Sequence, residues 1–215
     1  KDIFLIKFNT DGTKQWTKQV GSSKSEESKG VIVDSFGNII VTGHTGGQFG
    51  QSSISDSETV LVVKFDFSGK VLWHKQFNST KMDQANALAS DNQGNIYLAG
   101  FTWGAFEGQT NKGSDDLLLI KLNKDGEKIW LKQIGTDRYD RALGVAYDSF
   151  KDSIYLSGFT NGNFDSNSNS NNSNGSSHIT DFIVAKFDST GKLVGDDSET
   201  PLPTPPVLTE VTPVN

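Results

Sequence analysis

Short apolar runs separated by polar turns extend along most of this chain of 215 residues. In the first run, Phe4, Ile6 and Phe8 would point to one face of a strand, and the apolar residues between them to the other. Apolar residues on both faces predict a strand that is covered on both sides by other sheets. The Asn-Thr-Asp-Gly sequence at 9–12 is typical of a hairpin turn, because these residues tolerate positive φ angles. We therefore predict a partner strand at 15–20.

The same strand–turn–strand pattern recurs at a fixed interval. Residues 116–130 read as an apolar strand, an Asn-Lys-Asp-Gly turn and a second strand that carries Trp130. Its counterparts carry Trp16 and Trp73, so that successive tryptophans are 57 residues apart both times. A fourth copy has Gly195 at the position of the tryptophan. Repetition at a fixed period predicts an array of similar structural units.

A second hairpin lies between successive copies of the first. Its predicted strands, 30–34 and 38–45, flank a Ser-Phe-Gly turn, and the hairpin recurs at 87–102 and 143–160, where Asp152 replaces the glycine. The full unit therefore has four short strands, which we name a to d from the inside outwards. Four antiparallel strands in each repeat of about 40–60 residues are typical of a β-propeller blade. A β-sandwich is the alternative, but sandwiches seldom repeat in sequence at a fixed period.

The number of copies predicts an incomplete ring. The units lie near residues 2–27, 28–83, 84–140 and 141–195, about three and a half blades, whereas closed propellers typically have about 4–8. We therefore expect an all-β fold of four-stranded antiparallel blades, forming an open arc or part of a larger propeller. An Asn/Ser-rich run near 163–177 predicts a flexible loop. Residues 196–215 hold all five prolines and predict a Pro/Thr-rich linker or tail.

Two recurring motifs resemble a known family. They are Asp-Ile-Phe-Leu-Ile-Lys-Phe-Asn-x-Asp-Gly-x-x-x-Trp, from residue 2, and Val-Asp-Ser-x-Gly-Asn-Ile-x-Val-x-Gly-x-Thr, from residue 33. Their ordered recurrence over residues 2–195 resembles the bacterial seven-bladed β-propeller (SBBP) repeat. The resemblance implies a propeller in a secreted or cell-surface bacterial protein, beside other extracellular modules. The segment 69–73 (Gly-Lys-Val-Leu-Trp) is also similar to quinoprotein propeller repeats, in which the tryptophan docks on the neighbouring blade.

The long loops of the predicted blades form one face, which we take as the candidate binding face. In an up-and-down meander the a–b and c–d turns lie on one face, and the b–c and d–a loops on the other. The predicted b–c loops are long and polar, and they cover residues 46–57, 103–114 and 161–180. Loops on a rigid scaffold are where binding residues usually lie.

An acid follows each tryptophan by ten residues: Glu26, Asp83 and Asp140. Placed in d–a loops near a central channel, these carboxylates could surround a calcium ion or a cationic ligand. They could equally accept hydrogen bonds from backbone N–H groups of their own turns. Their presence in every unit favours this second, structural role, because a scaffold needs it in each blade.

The b–c loops also repeat an aromatic residue: Phe49, Phe106 and Phe164. Each could contact a sugar or a protein, or could anchor its loop on the edge of the blade; the anchor is the interpretation that repetition favours. Trp103 differs, because its counterparts are Gly46 and Asn161. A tryptophan that is not repeated, in a long loop, is the best single candidate for a contact residue.

Composition narrows the classes of function. With a net charge of −6 and no basic patch, nucleic acid is not an expected partner. The chain has no cysteine and no apolar run long enough to span a bilayer. The three histidines occupy positions that are not equivalent in the repeats, and no catalytic or zinc motif emerges. We therefore expect no catalytic residue, no metal site and no cofactor. Calcium is the one ion for which the sequence gives weak support.

We therefore expect a non-catalytic binding or scaffold module, outside the cell or on a bacterial surface, that contacts protein or carbohydrate through its long-loop face. The alternative is part of a propeller enzyme, quinoprotein-like or lyase-like, whose site further blades complete. An enzyme predicts converging ionisable residues with perturbed pKa values in a central pocket.

Overall fold

Thirteen β-strands form the described part of the chain, which is residues 1–49, 57–164 and 180–194 of a computed structural model. The predicted Asn/Ser-rich loop lies almost entirely outside these residues, and the predicted tail lies wholly outside them. The strands are β1 (Ile3–Phe8), β2 (Lys14–Val20), β3 (Glu26–Val33), β4 (Ile39–Thr45), β5 (Thr59–Phe65), β6 (Val71–Phe77), β7 (Asp83–Ser90), β8 (Ile96–Thr102), β9 (Asp116–Leu122), β10 (Lys128–Ile134), β11 (Asp140–Asp148), β12 (Ser153–Thr160) and β13 (Asp181–Asp188).

The strands pair in chain order into four antiparallel sheets, which we number as blades. Blade 1 is β1–β2, blade 2 is β3–β6, blade 3 is β7–β10 and blade 4 is β11–β13. Blade 4 carries the beginning of a fourth strand, where Leu193 bridges to Phe187. The sheets do not close on themselves, so the predicted all-β fold of about three and a half blades in an open arrangement is confirmed.

Each a-strand starts about four residues earlier than predicted, because a β-bulge interrupts its alternating pattern. The pairing register shifts between Ser28 and Gly30, and at the equivalent places in β7 and β11. One extra residue at the bulge breaks the period of two on which the prediction relied. The acids Glu26, Asp83 and Asp140 are consequently the first residues of strands, whereas we had expected them in loops.

The core consists of apolar layers between neighbouring blades. One layer joins Val60 and Val62 of blade 2 to Leu118 and Ile120 of blade 3, and similar layers join blade 1 to blade 2 and blade 3 to blade 4. Every residue of β5 and β9 is buried, because a blade covers each side. We predicted that β1 is also covered on both sides, and this is wrong for one of its faces. Phe4, Ile6 and Phe8 on that face are exposed, because no described sheet covers them.

A repeated pair of donors fastens each blade to the next. Trp73 Nε1 and Lys64 Nζ of blade 2 both donate to the carbonyl oxygen of Lys124, at distances of 3.3 and 3.1 Å. Lys124 lies in the c–d turn of blade 3, and the indole of Trp73 packs against Gly126 of that turn. In blade 3, Trp130 Nε1 and Lys121 Nζ donate in the same way to the carbonyl oxygen of Ser189 in blade 4. In blade 1, Trp16 packs against Gly69 of blade 2, and Lys7 Nζ donates to the carbonyl oxygen of Phe67. We call this arrangement the tryptophan latch.

Candidate functional site

The long-loop face is framed by hydrogen bonds between its b–c and d–a loops. In blade 3, Trp103 N donates to the carbonyl of Met82, at the start of the a-strand. At the far end of the same b–c loop, Ser114 N donates to the carbonyl of Arg138, in the next d–a loop. Equivalent bonds join Gly46 to Ser25 and Asn161 to Tyr139. The loops therefore share one face, as the meander predicted, and are fixed to one another.

The three repeated acids lie at the base of this face and are buried. Asp83 accepts hydrogen bonds from the backbone N–H of Ser79, at 2.6 Å, and from Thr102 Oγ1, at 2.5 Å. Asp140 uses Thr136 and Thr160 in the same way, and Glu26 uses Ser22 and Thr45. Each acid therefore ties the d–a loop before it to the end of strand b.

These contacts direct the carboxylates into their own blades. Burial raises the pKa of Asp83 above its ordinary value, although the hydrogen bonds from Thr102 and Ser79 oppose that rise. In the described ranges, no three His, Asp or Glu side chains are grouped closely enough to hold a metal ion. A ligand-binding role for Glu26, Asp83 and Asp140 stays a prediction, but their hydrogen bonds are those of loop anchors.

The repeated phenylalanines occupy two different environments. Phe49 and Phe106 are buried, and each backbone N–H donates to a glutamine of strand d, Gln76 and Gln133. The amide of Gln133 in turn donates to the carbonyl of Gly104 and to the carboxylate of Asp116, both at 2.9 Å, so one glutamine contacts both ends of the loop.

Phe164 differs from its two counterparts, since 42% of its surface is exposed. Counting along the repeat, the position of the loop-holding glutamine in blade 4 is Ser198. Ser198 lies outside the described residues.

Trp103 is partly exposed on a loop that is held at both sides of it. Forty per cent of its surface is accessible, while Thr102 Oγ1 accepts from Gly104 N and Phe106 is buried. Fixing the backbone around an aromatic side chain lowers the entropy that a partner must remove on binding. Trp103 is therefore suited to contact a partner without rearranging the loop.

Two further residues of this face escaped the sequence analysis. Tyr139, 47% exposed, and the exposed Arg138 lie in the d–a loop to which the b–c loop of Trp103 is bonded. The signal was available, because the counterparts of Tyr139 are Ser25 and Met82, so this aromatic is no more repeated than Trp103.

An ion pair links blades 3 and 4 beside these residues. The Arg141 guanidinium of strand a in blade 4 bonds the carboxylate of Asp115, which is buried, and its charge lies 4.1 Å from the ring centre of Phe101. Burial raises the pKa of Asp115 above its ordinary value, and Arg141 opposes the rise. At the corresponding place in blade 2, His44 lies 3.7 Å from Glu58, and burial lowers the pKa of the imidazole below its ordinary value.

Among the described residues, no helix has the length and apolar character needed to cross a membrane.

Comparison with known proteins agrees with this architecture. The family model described as SBBP, a beta-propeller repeat, matches residues 15–50 and 72–107. Each match runs from strand d of one blade through the a–b hairpin of the next to the b–c phenylalanine. A curated relative, the Uncharacterized WD repeat-containing protein L264 of Acanthamoeba polyphaga mimivirus, is 23% identical over 201 residues. The alignment covers 74% of this chain and 14% of the relative, so the chain spans a small part of that protein.

Proposed function

Because this chain is built from SBBP beta-propeller repeats, we propose that it is a non-catalytic module that binds a protein through its long-loop face. The observation that carries the proposal is Trp103, exposed on a loop whose backbone is fixed on both sides. A rigid scaffold with an aromatic residue held ready for contact is the arrangement expected of a binding surface.

Two exposed residues on the face that carries Trp103 favour a protein partner over a carbohydrate. Tyr139 and Arg138 lie on the same face, in the loop bonded to that of Trp103. Trp, Tyr and Arg are the residues in which the energetic centres of protein–protein interfaces are enriched. Phe164 adds a third exposed aromatic residue from blade 4. In this proposal the buried repeated residues anchor the loops and do not contact the partner; they are Glu26, Asp83, Asp140, Phe49 and Phe106.

We further propose that the module acts outside a bacterial cell, as a secreted or cell-surface protein. The support is the character of the SBBP repeat given above. Fusion of the chain's natural gene to a reporter enzyme that works only outside the cytoplasm tests this location. Reporter activity confined to the cytoplasm would contradict it.

The binding proposal is tested with the purified chain as bait and extracellular protein from the source organism as prey. We expect a protein that is captured by the wild type and reduced at least about tenfold by Trp103→Ala, since loss of a central aromatic contact typically costs 2 kcal/mol or more. Phe150→Ala is the matched control, because Phe150 is 98% exposed on the opposite, short-turn face.

Two results would contradict the proposal. One is capture that Trp103→Ala and Phe150→Ala weaken equally, which would place the contact elsewhere. The other is binding to a glycan array, sensitive to Trp103→Ala, with no protein captured, which would favour a carbohydrate partner on the same face.

A further inference from the structure

Each d–a loop presents a basic residue through the same short motif. A hydroxyl residue, a basic residue and an acid occupy alternate positions, at 22, 24 and 26, at 79, 81 and 83, and at 136, 138 and 140. In the second loop, Ser79 N donates to the carboxylate of Asp83 at 2.6 Å, and Lys81 N donates to Ser79 Oγ at 3.1 Å. The buried acid therefore fixes the hydroxyl residue, and the hydroxyl fixes the backbone of the basic residue. The second of these bonds recurs from Lys24 to Ser22 and from Arg138 to Thr136.

The motif leaves its positive charges at the surface and removes its negative charges from it. Lys24, Lys81 and Arg138 are exposed, whereas the acids of the same loops are buried and accept hydrogen bonds inside their blades. Among the described residues, neither Lys81 nor Arg138 forms an ion pair. The exposed acids Glu107 and Asp137 share the face without pairing with these two cations. On a chain with a net charge of −6, the d–a loops thus present unneutralised positive charge.

These two cations lie at the two ends of the b–c loop that carries Trp103. At the start of that loop, Trp103 N donates to the carbonyl oxygen of Met82, the residue after Lys81, at 2.9 Å. At its end, Ser114 N donates to the carbonyl oxygen of Arg138, at 3.1 Å. The exposed tryptophan is therefore held on one stretch of fixed backbone with a positive charge at either end.

We propose that Lys81 and Arg138 bind carboxylates of the protein partner, so that the partner contacts Trp103 with a segment rich in Asp and Glu. This inference rests on the proposed function, because it concerns the same face and the same partner. Carboxylates are the anionic groups that an unmodified protein surface offers, and the guanidinium of Arg138 matches a carboxylate with two parallel N–H donors.

The charge of the rest of the chain adds orientation to this attraction. The chain carries 26 acidic and 20 basic residues, so an acidic partner is repelled by the molecule as a whole. Unneutralised cations on the long-loop face reverse that repulsion locally. Complementary charge of this kind acts on the rate of association and on the choice of partner more than on total affinity.

A random peptide library displayed on phage, selected on the immobilised full chain, is the probe. We expect the recovered peptides to be rich in Asp and Glu around an apolar residue. Synthetic copies of them, measured by fluorescence anisotropy and stopped flow, should bind more weakly and associate more slowly as salt is added, because salt screens exposed charges.

The variant Lys81→Gln/Arg138→Gln removes both cations. It should weaken binding of these peptides roughly fivefold, slow their association and flatten the dependence on salt, since exposed charge pairs each contribute little but act together here. The matched control is Lys70→Gln/Lys128→Gln, which changes the net charge equally at two exposed lysines beside the c–d turns. Exposed substitutions of this kind change stability little, so both variants are expected to fold.

Trp103→Ala separates this inference from the proposed function. Binding that Trp103→Ala abolishes, but that the cation variant weakens no more than its control does, overturns the inference and leaves the proposed function standing. Binding that depends on the two cations and not on Trp103 supports the inference and contradicts the proposed contact at Trp103. A selection that recovers no acidic peptide overturns the inference, and binding of alginate in its place would assign the cations to an anionic polysaccharide.

Discussion

Substitution of Gly126 tests whether the tryptophan latch stabilises the contact between blades. Gly126 has φ +81°, and a Cβ built on it would lie 3.1 Å from Trp73 Cε3 and from two atoms of Lys75. Gly37 has φ +80° in the a–b turn of blade 2, but a Cβ there meets nothing within 4 Å. The two glycines therefore share a backbone conformation and differ in what they contact.

The structure gives the size of the expected difference. Alanine in the left-handed region costs about 1–2 kcal/mol at either position. At Gly126 the added methyl must also displace Trp73 and Lys75, and overpacking of this kind costs at least about 1 kcal/mol. Gly126→Ala should thus lower the free energy of unfolding by about 1 kcal/mol more than Gly37→Ala, which corresponds to about 2–4 °C in Tm for a chain of this size.

Urea unfolding followed by circular dichroism measures both variants. A second pair made in a Trp73→Leu background closes a double-mutant cycle, and there the additional cost at Gly126 should fall, because the indole is gone. The reasoning is refuted if Gly126→Ala and Gly37→Ala destabilise the chain equally within about 0.3 kcal/mol. It is also refuted if the additional cost is unchanged without Trp73.

Further predictions concern the buried ion pair, the b-strand glycines and the loop anchors. Lys64→Met should destabilise the chain by about 3 kcal/mol in urea unfolding, because it leaves the buried Asp34, 2.9 Å from Lys64 Nζ, without its cation; a cost below about 1 kcal/mol would contradict this. Burial opposes ionisation of Asp34, but hydrogen bonds from Lys64 and Asn38 outweigh it and lower the pKa of Asp34 below 3.8. The contribution of ionised Asp34 to stability is therefore complete above about pH 4 and is lost as the pH falls further. Melting scans below about pH 4 should show a less steep fall of Tm with pH in Asp34→Asn than in the wild type. Gly100→Val should not yield folded protein, since a Cβ would lie 1.9 Å from a carbonyl oxygen of β7; a native melting transition would oppose this. Gln133→Ala should speed hydrogen exchange at 103–109 and leave the loop of blade 2 unchanged, and equal effects on both loops would count against the anchor.

The fold could be predicted from the sequence because its signals are local and repeated. Each Asp/Asn-x-x-Gly turn satisfies its own backbone: Asp34 Oδ1 accepts from Phe36 N and Asn38 N, and Gly37 takes the positive φ. In the irregular turn of blade 4, Asp152 takes φ +48° at the position where the other turns have glycine. The spacing of the tryptophans then indicated the blades, which the family match and the sheet order confirm.

The site was less accessible to sequence reasoning, because exposure depends on contacts distant in sequence. Phe49 and Phe164 occupy the same repeat position, yet one is buried and the other exposed. Phe49 N donates to Gln76, 27 residues away, and no pattern within the loop reveals that contact. The bulge in each a-strand likewise leaves no mark in the hydrophobic pattern, so the acids were assigned to loops.

The most direct test of the account is a nuclear Overhauser spectrum of the indole and glycine α-protons. We predict contacts from Trp16 to Gly69, from Trp73 to Gly126 and from Trp130 to Gly191, with all three glycines shifted upfield by the ring currents and Gly12 and Gly37 unshifted. Contacts from the three tryptophans to unrelated positions, or ordinary shifts for the three glycines, would contradict the claim that equivalent blades are latched side by side.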